Sequence, residues 1–237
     1  MNITGLQKMT LLDFPEKVAC TVFLQSCNFR CPFCHNSDLL GSQGSQNISE
    51  AYLLSFLNKR RGLLDGVCFT GGEPTLQPDL IPLISKVKAM GFAVKLDTNG
   101  SRPDVLKALL AQNLLDYVAM DIKNCPARYG ETVGIPGFSP EKIEESIRIL
   151  MTGNTDYEFR TTVVEEFHDE EAIGNIGPWL RRLVPGRKVK HYFLQPFADR
   201  DSVLQTGLHT PNSLTLQRFS QLLIPFAENV CIRGTDD

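Results

Sequence analysis

Three cysteines stand close together near the N-terminus, where Cys27, Cys31 and Cys34 occur in the stretch CNFRCPFC. Cysteine thiolates are the usual protein ligands of iron–sulfur clusters. Ligands that share one loop bind neighbouring corners of a cluster with little loss of chain-closure entropy. Three local ligands on a four-iron cubane leave one iron for another molecule, and this is the chemistry that the spacing indicates.

The three cysteines are also compatible with roles that involve no cluster. Unoxidised cysteines are common in protein cores, although Asn, Arg and Pro are unusual neighbours there. Structural zinc usually takes four ligands, and His35 directly after Cys34 is a candidate for the fourth. A disulfide framework is typical of much shorter secreted chains than this one of 237 residues.

The composition is that of a globular protein, with 42% hydrophobic and 22% charged residues. The apolar runs are shorter than a membrane span. A net charge of −3 without a long basic run argues against a nucleic-acid groove. The first residues do not resemble a signal or transit peptide. With an odd number of cysteines, seven, this predicts a cytoplasmic protein without membrane or nucleic-acid partners.

Six strand-like apolar segments alternate with helical patterns, which implies a parallel α/β sheet with right-handed crossovers. Six units are too few for a closed eight-stranded barrel, so an open partial barrel or a doubly wound sheet is expected. The chain is predicted to be one domain over 1–237, with a core at about 17–200. An N-terminal cap or strand pair precedes the core, and a helix and short strand follow it. The predicted strands are 18–24, 66–70, 92–96, 117–120, 157–164 and 191–195, with a short final strand at 230–233.

Capping and breaking residues predict where several helices begin and end. Ser49 is expected to cap the first helix, and Ser139 another, with Pro140 as its first helical residue. The Gly-Pro pair at 177–178 predicts a kink or break in a helix. Residues 124–138 are expected to form a loop, and residues 41–47, rich in Gly, Ser and Gln, a flexible linker.

Polar residues follow or end five of the six predicted strands, and Arg160 lies within the remaining one, 157–164. Both candidate architectures place their sites at the carboxyl ends of the strands. A common ligand site is therefore expected there. Besides the cysteines, its members are Gly71, Gly72, Glu73, Asp97, Asp121, Lys123, Arg160 and Gln195.

The residue types at these strand ends suit an amino acid moiety. Gly71 and Gly72 allow close approach of the backbone, and Glu73 suits an ammonium group. Lys123 and Arg160 suit a carboxylate. An open iron can chelate the amine and carboxylate of the same molecule.

The motif Cys-x-x-x-Cys-x-aromatic-Cys, with Phe33 as the aromatic residue, and the Gly-Gly-Glu-Pro at 71–74 resemble the radical S-adenosylmethionine (SAM) superfamily. The resemblance implies one [4Fe–4S] cluster held by Cys27, Cys31 and Cys34, with SAM on the fourth iron. It also implies a partial (β/α)6 barrel. The implied reaction is reductive cleavage of SAM to methionine and a 5′-deoxyadenosyl radical, with no catalytic residue beyond the cluster and the cofactor.

A narrower resemblance concerns the stretches 97–100 and 121–123, which look like those of glycyl-radical-enzyme activases. Residues 5–15 and 27–36 are similar to the anaerobic ribonucleoside-triphosphate reductase activating proteins. This implies a glycyl radical enzyme as partner and reduced flavodoxin or ferredoxin as electron donor. Residues 35–48 contain no cysteine, as in single-cluster activases. The resemblance places the methionine and ribose parts of SAM near Asp97, Asp121, Lys123 and Arg160, and the adenine near Phe33 and Gln195.

Two further functions stay open beside the activase. One is a radical SAM enzyme that modifies a small molecule or a peptide, and the other is a non-catalytic iron–sulfur or zinc protein. Several other conspicuous residues are expected to be structural or incidental, namely Cys68, Cys125, Cys231, His35, His168, His191, His209 and Trp179.

Overall fold

The computed structural model describes residues 2–41, 47–200 and 202–234. In this part of the chain, eight strands form a sheet in which the strand order is the chain order. The strands are β1 Ile3–Thr10, β2 Ala19–Leu24, β3 Gly66–Gly71, β4 Ala93–Thr98, β5 Tyr117–Asp121, β6 Asp156–Val163, β7 Val189–Pro196 and β8 Ala227–Ile232. The α-helices are α1 Glu50–Asn58, α2 Leu80–Ala89, α3 Pro103–Ala111, α4 Tyr129–Thr132, α5 Glu141–Thr152, α6 Glu170–Leu183 and α7 Ser213–Leu223.

The chain divides into two compact units. The first comprises Met1–Asn28, Asn36–Thr98 and Asp104–Val118. In it, β1 pairs antiparallel with β2, and β2, β3 and β4 run parallel. The second unit comprises Phe29–His35, Asn99–Pro103 and Ala119–Asp237, and in it β6, β7 and β8 run parallel. The single domain over 1–237 stays a prediction.

Burial explains why these segments form strands and helices. Five of the six residues of β2 are buried, as expected for a parallel strand covered on both faces. On α1, Leu53 and Leu57 are buried one turn apart. Ser49 caps this helix as predicted, because its hydroxyl accepts a hydrogen bond from the Tyr52 amide at 3.2 Å. The predicted parallel α/β class is confirmed.

Local signals gave some wrong boundaries. The predicted Ser139 cap is wrong by one residue, because Pro140 occupies the cap position and the helix begins at Glu141. Of the predicted kink or break at 177–178, the break is wrong, since α6 continues through Pro178 while Ile176, Trp179 and Leu180 are buried. The kink stays a prediction. The predicted loop at 124–138 contains the short helix α4.

Two further predictions concern the flexible linker and the absence of a membrane span. Residues 42–46 of the predicted linker lie outside the described residues. Among the helices that the structure describes, none combines the length and the apolar composition needed to cross a bilayer.

Two glycines on α6 provide a matched test of packing in the second unit. A Cβ at Gly177 would overlap the ring of Phe226, whereas a Cβ at Gly174 meets only Leu222 Cδ1 at 3.9 Å. We expect Gly174→Ala to raise the free energy of unfolding by about 0.5–1 kcal/mol, because Ala favours helix. Gly177→Ala should lower it by about 1–3 kcal/mol through overpacking. Denaturant unfolding of both variants measures these changes, and equal effects would contradict this packing.

Candidate active site

The cysteine loop, residues 27–35, leaves the carboxyl end of β2. Cys27 belongs to the first compact unit, and Cys31 and Cys34 belong to the second. Cys31 is buried, and Cys27 and Cys34 are half-buried. None of the seven cysteines, all of which are described, forms a disulfide. The loop therefore presents reduced thiols, as metal or cluster ligation requires.

The zinc alternative finds no support in the described residues. No three His, Cys, Asp or Glu side chains among them stand close enough together to hold a single metal ion. A cubane cluster is larger than one ion, so its thiolate ligands stand further apart. The ring of His35, the candidate fourth ligand, is already engaged, because Nε2 lies 2.7 Å from the Ala198 carbonyl oxygen and the ring stacks on Phe197. The donor set of three thiols fits an iron–sulfur cluster.

The carboxylate of Asp121, at the end of β5, binds two cations in the second unit. Its Oδ2 lies 2.9 Å from Lys123 Nζ, and its Oδ1 lies 3.0 Å from Arg160 Nε on β6. Burial alone raises the pKa of Asp121, but the charges of Arg160 and Lys123 outweigh it and lower the pKa to about 2. The three predicted residues thus form one ionic cluster with a net charge of +1.

Lys123 also interacts electrostatically with two thiols of the cysteine loop. Burial opposes its charge, yet its pKa is raised above the ordinary value because of the Asp121 carboxylate and the Cys31 and Cys34 thiolates. The structure therefore brings Lys123, Cys31 and Cys34 into one electrostatic environment.

Phe33, which lies between Cys31 and Cys34 in the sequence, is buried in the second unit. Its ring packs against Phe167 at 5.7 Å between centroids and edge-on against His168 at 6.3 Å. His168 Nε2 in turn lies 2.8 Å from the Lys123 carbonyl oxygen. His168 lies in the loop between β6 and α6, and it links Phe33 to the ionic cluster.

The described contacts do not join Gln195 to this group. It lies half-buried on β7, where its register partner is Thr162 of β6. Arg160 pairs instead with Phe193, two residues earlier on β7. The expected role of Gln195 near an adenine remains a prediction.

In the first unit, Gly71 and Gly72 allow two chain segments to pack backbone against backbone. Gly71 has φ +124°, and a Cβ there would overlap the backbone of Leu24. A Cβ at Gly72 would overlap the Ser26 carbonyl group. The amide of Gly72 donates to the Leu24 carbonyl at 2.8 Å, and that of Glu73 donates to the Ser26 carbonyl at 2.7 Å. Glycine is therefore required at both positions by the packing of the two segments. The contact of Gly71 and Gly72 with a ligand remains a prediction.

Glu73 is fully buried and its carboxylate is held by the turn that follows. Oε1 accepts hydrogen bonds from the Thr75 amide at 3.0 Å, from the Thr75 hydroxyl, and from the Thr98 hydroxyl at 2.7 Å. Three donors on one oxygen hold the side chain in one orientation. The predicted ammonium partner of Glu73 remains a prediction.

Asp97 on β4 has a partner that the sequence analysis missed. Lys95 Nζ lies 2.5 Å from Asp97 Oδ1, and the side chain of Lys95 is only 3% exposed. The thiol of Cys68 on β3 lies 3.7 Å from the same carboxylate oxygen. Lys95 and Asp97 share a face because side chains alternate along a strand. A lysine within the apolar segment 92–96 was the available signal.

A family model described as the radical SAM superfamily matches residues 21–174. A Methanocaldococcus jannaschii protein named as a glycyl-radical enzyme activating enzyme is 31% identical over 239 residues, covering 98% of this chain and 95% of that protein. The 7-carboxy-7-deazaguanine synthase of Koribacter versatilis is 27% identical over 205 residues, with coverage of 84% and 86%.

The fold is also similar to that of solved structures. A domain of the pyruvate-formate lyase-activating enzyme from Bacteroides vulgatus superposes with a TM-score of 0.58 and 22% identity. The match covers 71% of this chain and 99% of that one. At this identity the likeness concerns the fold alone, and it agrees with the predicted partial barrel.

The buried ring of His168 predicts a pH dependence of stability. Burial lowers its pKa below the ordinary 6.5, outweighing its hydrogen bonds to Lys123 and Val164. The contribution of His168 to the stability of the folded protein is therefore fully present above pH 6.5. It is lost as pH falls below 6.5, because His168 of the unfolded chain then takes up a proton that the buried ring does not. The free energy of unfolding of the cluster-loaded protein should fall from pH 7.5 to 5.5, by at most about 1.4 kcal/mol per pH unit from this group. His168→Gln should flatten that fall in anaerobic denaturant titrations.

His209 supplies a control of opposite sign. Its hydrogen bond to Glu166 raises its pKa, so its contribution is present at pH 5.5 and is lost as pH rises. His209→Gln should therefore steepen the fall in stability below neutral pH, although slightly, because the pair is exposed. A slope in His168→Gln equal to that of the wild type would contradict the buried, neutral imidazole.

Proposed function

This chain belongs to the radical SAM superfamily, and on that premise we propose that it installs a glycyl radical on anaerobic ribonucleoside-triphosphate reductase. The coarser function, activation of a glycyl radical enzyme, has its main support in a relative of that name that matches 98% of the chain. The chain uses a [4Fe–4S] cluster and SAM, as its family does. We place it in the cytoplasm, with reduced flavodoxin or ferredoxin as electron donor.

We assign the cluster to Cys27, Cys31 and Cys34. When bound, the cluster supplies the electron that cleaves SAM reductively. The support for this ligand set is a loop of reduced thiols with Lys123 beside two of them.

We assign the SAM contacts to the strand-end residues of the chain. Lys123, Arg160 and Asp121 together carry a net charge of +1, which suits the carboxylate of the methionine part. Glu73 and the backbone at Gly71 and Gly72 would receive the ammonium group. The further contacts are assigned to Asp97 for the methionine and ribose parts, and to Phe33 and Gln195 for the adenine.

The work of these side chains is placement. Buried partners hold each charged group in one orientation, as Lys95 holds Asp97 and Arg160 holds Asp121. Fixed charges cost little reorganisation when the cofactor binds. Hydrogen abstraction from a glycine Cα needs a close and oriented target, and no residue acts as an acid or base in it.

A second candidate function is modification of a small molecule or a peptide. It is favoured by the 7-carboxy-7-deazaguanine synthase, which matches 84% of this chain. Both functions share the SAM cleavage step and differ in the molecule that loses the hydrogen atom. Only the activase leaves a stable radical on a protein partner.

Replacement of any one of the three cysteines by Ala should abolish SAM cleavage and cluster binding, because the remaining two thiolates cannot fix a cubane. Iron and sulfide content and 5′-deoxyadenosine formation measure the loss under anaerobic, reducing conditions. Cys231→Ala is the matched control, since Cys231 is exposed on β8 and should be dispensable. Full cleavage by any one of the Cys27, Cys31 or Cys34 variants would refute the ligand assignment.

Electron paramagnetic resonance tests the partner. The reduced, cluster-loaded protein is mixed with SAM and the large subunit of the anaerobic reductase. The expected result is a glycyl-type doublet that requires SAM and is lost with Cys31→Ala. Cleavage of SAM without a doublet would rule out this partner and favour a small molecule or peptide.

A further inference from the structure

The backbone of the cysteine loop is bonded to a segment that lies about a hundred residues later in the second unit. The amide of Arg30 donates to the carbonyl of Val133 at 2.8 Å. Gly134 has φ +68°, and a Cβ there would overlap the Arg30 carbonyl oxygen. The rings of Phe29 and Phe138 meet edge to face at 5.3 Å between centroids. The backbone just before Cys31 is thus fixed by the turn after α4.

A second distant segment, residues 197–200 and 202–205, binds the other end of the same loop. The Gln205 amide donates to the Pro32 carbonyl at 3.0 Å, and the Ser202 hydroxyl donates to the His35 carbonyl at 2.7 Å. The ring of His35 stacks on Phe197 with an interplanar angle of 9° and bonds to Ala198. The residues that directly follow Cys31 and Cys34 are therefore both tethered.

These contacts surround the two thiols without involving them. Arg30 and Pro32 flank Cys31, and His35 follows Cys34, and each has a backbone hydrogen bond to a segment outside the loop. Fixing the neighbouring peptide groups fixes the Cα–Cβ bond of each cysteine, which restricts its sulfur to the few positions that the side-chain rotamers allow. Mutation of groups that hold metal ligands in place typically lowers metal affinity or activity by roughly 10- to 100-fold.

We propose that Gly134 and Ser202 are positioning residues for the cluster, which fix the cysteine loop from the turn after α4 and from the segment after β7. The role extends the cluster site to two residues that contribute no ligand. It rests on the assignment of Cys31 and Cys34 as ligands in the proposed function. It does not depend on which partner enzyme receives the radical.

The first test compares Gly134→Ala with Gly137→Ala. Both glycines have positive φ, +68° and +73°, so both variants carry the same backbone strain. Of these two glycines only Gly134 faces the cysteine loop, since among the described residues, its chain neighbours aside, a Cβ at Gly137 meets no atom within 4 Å. In Gly134→Ala the Arg30 carbonyl must shift. We expect roughly 10-fold faster loss of iron to bathophenanthroline disulfonate from the cluster-loaded protein, and a changed spectrum of the reduced cluster. Gly137→Ala should match the wild type in both measurements.

The second test compares Ser202→Ala with Ser220→Ala, and it holds even if Gly134→Ala does not fold. Each serine donates to a backbone carbonyl at 2.7 Å, Ser202 to His35 and Ser220 to Gln217 within α7. Loss of one such bond should speed iron release about threefold or more in Ser202→Ala only. Restoration of the wild-type rate by Ser202→Thr, which keeps the hydroxyl, would support the hydrogen bond as the cause.

The outcomes separate this proposal from the ligand assignment. Equal iron release in each variant and its control, with clusters present, would overturn the positioning role and leave the ligands standing. Clusters retained after replacement of Cys31 or Cys34 would overturn the ligand assignment instead. Faster release in Gly134→Ala and Ser202→Ala, together with clusters lost in the cysteine variants, would support both.

Discussion

One carboxylate shared by two cations organises the polar part of the second unit. Asp121 binds Lys123 through one oxygen and Arg160 through the other. Removing three charged groups from water is costly, and such a cluster persists only where each charge has a well-placed partner. The raised pKa of Lys123 has its largest favourable cause in Asp121, and the Cys31 and Cys34 thiols of the cysteine loop add to it. The backbone carbonyl of Lys123 binds the ring of His168, which packs against Phe33. The ionic cluster of Asp121, Lys123 and Arg160 is therefore linked to the apolar part of the site as well.

The sequence allowed the elements and the strand-end residues to be predicted because those signals are local. Alternation of apolar segments and turns defines strands, and a polar residue after each strand is visible by inspection. Lys123, Asp121 and Arg160 were singled out in this way and do lie together. The ammonium of Lys95 was missed, because a lysine in an apolar strand has no meaning until its neighbour on the same face is known.

Contacts between distant segments were beyond local patterns altogether. Nothing near Gly134 indicates that it must lie against Arg30, and nothing near Ser202 indicates His35. The glycines at 71–72 are a further example of a distant contact that the local pattern does not reveal. Their pattern suggested close approach of the backbone to a ligand, which stays a prediction, but it did not indicate that they pack the chain after β3 against the chain after β2. A glycine signals that space is needed, and the sequence does not say for which neighbour.

The long separation between the cysteine loop and its tethers has a consequence for biosynthesis. The loop leaves the ribosome early, but the Pro32 carbonyl finds its partner only when Gln205 has been made. At usual rates of translation, this interval is on the order of ten seconds or more. During that time the nascent thiols lack their final framework and are exposed to oxidants and to stray metal ions. Delivery of the iron and sulfide therefore belongs after chain completion, and a truncated chain would be a poor acceptor for the machinery that assembles clusters.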